Sequence, residues 1–104
     1  MEIGKIIKEF REKTRELYGK RLKNILLYGS CAGGQATQDS DIDLAIVLEG
    51  DVIPGKEIDL MIDIITEINL NCGVLISVYP VSKKNYNEIN SPILLNLRRE
   101  GVPV

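Results

Sequence analysis

Histidine and tryptophan are absent from this 104-residue chain, and aromatic residues number only five, four Tyr and one Phe. Without His there is no Ser–His or Cys–His nucleophile pair, no imidazole metal ligand and no histidine general base. Any chemistry must run on carboxylates, hydroxyls, amines, backbone groups or a metal held by oxygen. Cysteine is scarce too. Cys31 and Cys72 lack the CxxC spacing of a redox or metal motif and read as reduced thiols used as small apolar fillers. No run of 18 apolar residues occurs, and charges are spread through Met1–Phe10. Neither a membrane span nor a signal peptide is therefore expected, and the cytoplasm is the expected location.

A basic excess is also missing. The chain has 13 Lys+Arg against 15 Asp+Glu, a net charge of −2, which argues against a protein that coats nucleic acid. What is present suits a folded domain: 44% hydrophobic and 27% charged residues. One domain spanning residues 1–104 is expected, burying about two-thirds of its unfolded surface.

Ile3, Ile6, Ile7, Phe10, Leu17 and Tyr18 recur at helical steps and predict an amphipathic helix over Glu2–Lys20. The basic cluster Lys20, Arg21 and Lys23 suits its C-terminus. Asn24–Tyr28 reads as a buried strand that breaks at Gly29-Ser30. Ser30–Gln35 is expected to make one helical turn before a polar loop at Thr37–Ser40. In Asp41–Leu48, alternation sends Ile42, Leu44, Ile46 and Leu48 to one face and Asp41, Asp43, Ala45 and Val47 to the other. This strand is expected to be covered on both sides except where its two aspartates begin it.

Gly50–Gly55 reads as a turn and Lys56–Asn71 as a helix, with Ile58, Met61, Ile62, Ile65 and Ile68 as its buried stripe. Gly73–Tyr79 reads as a third strand, ended by Pro80. Ser82 can cap a short turn over Lys83–Glu88, and Ser91-Pro92 opens a helix over Pro92–Glu100. Gly101 ends that helix, with Val102–Val104 extended. The order α-β-β-α-β-α implies an α/β (α+β) fold, a mixed sheet of three or four strands packed by helices.

One constellation carries chemistry: Gly29-Ser30, ten intervening residues, then Asp41-Ile42-Asp43. Glycine lets the chain turn off the first strand and lets backbone N–H groups approach a phosphate, while Ser30 adds a hydroxyl. Two carboxylates at i and i+2 on a strand point the same way and can share a hard divalent cation. Mg²⁺ (or Mn²⁺) is typically held by such carboxylates together with substrate phosphates. The pattern describes a site for a metal–nucleoside triphosphate.

From Tyr28 through Leu44 these residues resemble the signature of the minimal nucleotidyltransferases of the DNA polymerase β-like superfamily, and the resemblance extends over essentially the whole chain. It implies transfer of a nucleoside monophosphate, with ATP the expected donor, to an acceptor, with Mg²⁺ and release of pyrophosphate. Gly29 and Ser30 would hold the triphosphate, and Asp41 and Asp43 would ligate the metals. The resemblance also implies a partner, since many such proteins pair with a helical HEPN-type toxin and some silence it by adenylylating a tyrosine. A homo-oligomer remains open.

Two departures stand out. Relatives usually read Gly-Ser-Arg-Ala-Arg-Gly, where this chain has Gly29-Ser30-Cys31-Ala32-Gly33-Gly34, so two counter-charges for a polyanion are missing. Active relatives also carry a third carboxylate on the strand after the crossover helix. Here Val74–Tyr79 holds no acid, and Ser77 stands at the apparent position. The alternative reading is therefore a catalytically degenerate nucleotide- or partner-binding module; a nucleic-acid-directed transferase is disfavoured by the acidic balance.

Asp39 is the nearest substitute acid, whereas Glu49 should lie about 20 Å from Asp43 along the strand. Asp59, Asp63 and Glu67 read as a solvated helix face. Lys83 and Lys84 are expected at the same sheet end as Ser77, and Arg98-Arg99 as complements to a helix dipole.

Overall fold

The structure is a computed structural model and describes residues 3–29 and 41–104. The expected helical turn at Ser30–Gln35 and the loop Thr37–Ser40 lie outside the described residues.

The first amphipathic stretch forms α1 (Ile3–Tyr18), which buries Ile6, Ile7, Phe10, Thr14 and Tyr18. Leu17 is 41% exposed, contrary to expectation, and Thr14 takes its place in the stripe. The buried Thr14 hydroxyl donates to the Phe10 carbonyl at 2.7 Å, so a polar residue on the apolar face keeps its hydrogen bond. A 3₁₀ turn, Gly19–Arg21, leads into β1 (Leu22–Tyr28), which starts two residues earlier than the apolar run suggests.

β2 (Ile42–Leu48) pairs antiparallel with β1, placing Tyr28 opposite Asp43 and Leu22 opposite Leu48. The chain then crosses over through α2 (Pro54–Cys72), as a parallel neighbour requires, into β3 (Ile76–Ser82). In the parallel β2–β3 ladder Asp43 is the Cα partner of Ser77. Two short helices follow, α3 (Lys83–Glu88) and α4 (Pro92–Glu100). Their caps are Ser82, which accepts from the Asn85 N–H at 3.1 Å, and Ser91, which accepts from the Leu94 N–H at 3.4 Å. The last strand, β4 (Val102–Pro103), pairs antiparallel with β1. The four-stranded mixed sheet has the order β3-β2-β1-β4.

The alternation of β2 divides the core as its sequence implies. Ile42, Leu44, Ile46 and Leu48 pack with Phe10 of α1 and Met61 and Ile68 of α2. Ala45 and Val47 pack on the opposite face with Leu26, Val81 and, from α4, Leu94 and Leu97. Burying such side chains is worth about 1.5–3 kcal/mol each relative to exposure. β2 is thereby fixed in the middle of the molecule.

Three further expectations are corrected. The third strand spans not Gly73–Tyr79 but Ile76–Ser82, since Gly73 caps α2, and Pro80 lies inside it in register with Ile46. β3 is an edge strand, where some backbone N–H groups have no ladder partner and a residue lacking one is accommodated. Second, α2 begins at Pro54, inside the expected turn, because proline suits the first helical turn. Third, Ile62 is 46% exposed, and the buried stripe is Glu57, Met61, Ile65 and Ile68.

Glu57 is a carboxylate at 4% exposure. Arg21 pairs with it through Nη2–Oε2 at 2.8 Å and Nη1–Oε1 at 3.1 Å, and the Tyr18 hydroxyl donates to Oε1 at 3.1 Å. Arg21 also donates to the carbonyls of Glu49, at 2.9 Å, and Asp51. The residue read as a dipole complement thus clamps the β2–α2 connection to the start of α2. Burial, then the nearby Glu57 charge, push the Tyr18 phenol well above its usual range, so it stays a donor to the carboxylate.

Candidate active site

Gly29 closes β1 with φ +74°, a left-handed conformation that residues with a Cβ adopt only with strain. It is constrained a second time by its neighbour. A Cβ built at Gly29 would lie 2.4 Å from Oδ2, 3.4 Å from Cγ and 3.5 Å from Cβ of Asp43. The Asp43 carboxylate therefore rests against the bare Cα at the turn, and only glycine leaves room for it. Sequence spacing offered the two features as a set; the antiparallel register of β1 and β2 brings them into contact.

Asp43 is half-buried and Asp41 is exposed. Burial, then the negative charge of Asp41, hold the Asp43 carboxyl above its ordinary value. The repulsion has a chemical meaning. A carboxylate whose proton affinity is raised by a second one nearby also favours a cation shared between them. The donor set, hard oxygens two residues apart on a strand, fits a divalent ion such as Mg²⁺.

Ser77 is exposed and occupies the position beside Asp43 on the adjacent strand. Among the described residues no group of three or more His, Cys, Asp or Glu side chains stands close enough to hold a metal ion. Ser30 and Asp39, the phosphate-side hydroxyl and the substitute acid, lie outside the described residues.

Tyr28, at the end of the strand expected to be buried, is partly buried against the Ala45–Val81 cluster. It is also the Cα partner of Asp43. Burial raises its phenol first, then the charge of Asp43 and the neighbouring Tyr79. A tyrosine directly before the glycine turn was the available signal for a group at the site. The row Tyr28, Asp43, Ser77 runs across three strands at one end of the sheet.

Lys83 and Lys84 belong elsewhere. They follow the C-terminal end of β3, and in a parallel ladder that is the end away from Ser77 and Asp43. There they line a cavity of about 870 Å³ with Glu49, Asp51, Ser82 and Asn85. In that cavity the acids and lysines offset one another. The aspartate pair is the stronger chemical signal. Arg98 is likewise no simple dipole complement: it donates to the carbonyls of Tyr86 and Ile89 and to Asn90 Oδ1, holding the α3–α4 connection.

The chain matches the sequence model for a nucleotidyltransferase domain over residues 7–94. It is 40% identical over 102 residues to a Methanocaldococcus jannaschii protein named "Putative protein adenylyltransferase MJ0604", covering 97% of this chain and 96% of that one. A second protein of that organism, "Putative protein adenylyltransferase MJ0141", is 34% identical over 77 residues, covering 74% of this chain and 77% of the relative. Among solved structures, "Crystal structure of the toxin-antitoxin with AMP-PNP" superimposes with a TM-score of 0.64. At 17% identity that match, over 99% of this chain and 72% of the other, shows a shared fold. The described residues contain no helix long and apolar enough to cross a membrane. With the family match spanning most of its length, the chain belongs to the nucleotidyltransferase domain family of enzymes.

Proposed function

We propose that the chain, acting as one nucleotidyltransferase domain, transfers AMP from ATP to a side chain of a protein acceptor. The observation that carries this reading is the Asp43 carboxylate seated against the Gly29 turn, with Asp41 two residues before it. Gly29 and Ser30 would receive the triphosphate at the turn. Asp41 and Asp43 would hold Mg²⁺ or Mn²⁺, and the bound ion would neutralise phosphate charge and stabilise the leaving pyrophosphate. Asp43, held above its ordinary pKa by burial and by the charge of Asp41, is the carboxylate whose repulsion a bound cation would relieve.

The acceptor is proposed to arrive on another chain, a toxin of the HEPN type in a toxin–antitoxin pair, in the cytoplasm. Support comes from the protein-adenylyltransferase names of the relatives and from a structural neighbour solved as a toxin–antitoxin with AMP-PNP. Incubation with labelled ATP, Mg²⁺ and the partner should label the partner, and Asp43→Asn should remove the label. Equal labelling by wild type and Asp43→Asn would overturn the reading.

Ser77 favours a second reading, a nucleotide- or partner-binding module without turnover. A carboxylate beside Asp43 would complete a two-metal clamp, and its loss weakens general-base assistance worth about 10²–10⁴ in rate. This reading requires partner association to survive Asp41→Ala and Asp43→Ala together, with no label transferred by wild type.

A further inference from the structure

A smaller concavity, about 230 Å³, lies at the start of β1 beside α1 and the end of the chain, lined by Arg11, Arg15, Lys23, Asn24 and Val104 among others. It is remote from the aspartate pair: Lys23 and Tyr28 stand five residues apart on β1, about 17 Å of strand. Arg11 and Arg15 are one helical turn apart on α1 and so present neighbouring guanidinium groups. Lys23 joins them from β1. The Val104 N–H donates to the Ile25 carbonyl at 3.0 Å, fixing the wall opposite the helix.

The positive charge here exceeds the negative. Lys13 and Arg21 have carboxylate partners in Glu67 and Glu57. Among the described residues Arg11, Arg15 and Lys23 have none, and the neighbouring Glu12 and Glu16 form no ion pair with them. Three cations without a side-chain carboxylate partner, against the one carboxylate of Val104, line one concavity in a protein of net charge −2. Planar guanidinium groups match tetrahedral oxyanions through paired N–H donors, and a lysine adds a point charge. A small concave site suits a compact, multiply charged anion rather than an extended acidic chain.

We infer that this concavity binds a phosphate-class oxyanion, either free or as the terminal phosphate of a nucleotide. The inference does not depend on the proposed transferase reaction.

The test is an amide-resolved NMR titration of the full chain at low ionic strength without divalent metal, using orthophosphate, pyrophosphate and AMP in separate arms. Saturable shifts at Arg11, Arg15, Lys23 and Asn24 are expected. Equal response to orthophosphate and AMP assigns the free ion; a tighter response to AMP assigns the nucleotide-borne phosphate. Arg11→Gln with Arg15→Gln should weaken binding at least about tenfold, whereas Lys56→Gln, on the exposed surface of α2, should not change it. All these positions are exposed, so the variants should fold. Shifts confined to Gly29 and Asp43, no saturable shift, or undiminished binding in the double variant would each overturn the inference.

Discussion

Replacing Gly29 by alanine separates two demands made on one residue. The backbone term, placing a Cβ at φ +74°, costs about 1–2 kcal/mol. The contact term arises because the new methyl would sit 2.4 Å from Asp43 Oδ2. To restore an ordinary separation, the carboxylate must leave its rotamer, at about 0.5–1.5 kcal/mol. Gly50 isolates the first term, since its φ is +84° and nothing lies within 4 Å of a built Cβ. Gly50→Ala should therefore lose about 1–2 kcal/mol, and Gly29→Ala about 1 kcal/mol more. Asp43→Ala isolates the second term. It removes Oδ2 and Cγ but leaves a Cβ at 3.5 Å, an ordinary contact. In that background the extra cost of Gly29→Ala should vanish. Urea denaturation of wild type, both single variants and the double variant gives the coupling directly, with an expected value of about 1 kcal/mol. Agreement with simple additivity, within about 0.3–0.5 kcal/mol, would refute the placement of the carboxylate against the turn.

Other outcomes follow from the same geometry. Because folding raises the Asp43 pKa, the folded state holds this proton more tightly than the unfolded chain. That contribution to stability is complete below the ordinary value of 3.8 and is lost as pH rises through the folded value. Asp43→Asn should therefore be more stable than wild type without metal, by an amount that grows as pH rises above about 4. Mg²⁺ should close the gap by raising the melting temperature of wild type alone; a gap independent of pH and Mg²⁺ would count against the repulsion. Glu57→Ala removes the acceptor of Arg21 and Tyr18 and should cost about 1–3 kcal/mol, read by thermal or urea unfolding; a loss under about 0.5 kcal/mol would show the pair to be hydrated. Ser77→Asp should tighten Mn²⁺ binding and raise any adenylyl transfer by about 10²–10⁴, measured by calorimetry and label transfer. No change in either would show that position 77 does not face the metal.

The fold was legible where a strong period met a simple environment. Alternation in Ile42–Leu48 predicted both faces of the central strand because both are buried by apolar layers. The carboxylate pair and the glycine turn were legible for a related reason, since a fixed backbone geometry dictates both. What escaped depended on partners distant in sequence. Glu57 lies on the same face as Met61, Ile65 and Ile68 but is absent from the expected stripe, because its burial makes sense only with Arg21 and Tyr18 present. Pro80 ended the predicted strand because local rules weigh its missing N–H without knowing that β3 lies at an edge. The ends of the sheet were also misjudged for Lys83 and Lys84. Following a strand in sequence says nothing about which end of the strand carries the site.

The two outer strands share a residue type. β3 holds Pro80, and β4, only two residues long, ends in Pro103. Both free edges of the sheet thus carry a residue that cannot donate to a further strand. Edge prolines and very short edge strands are recognised barriers to sheet growth. Addition of a further strand alongside β3 or β4 is thereby disfavoured. Assembly by strand exchange between copies is disfavoured for the same reason.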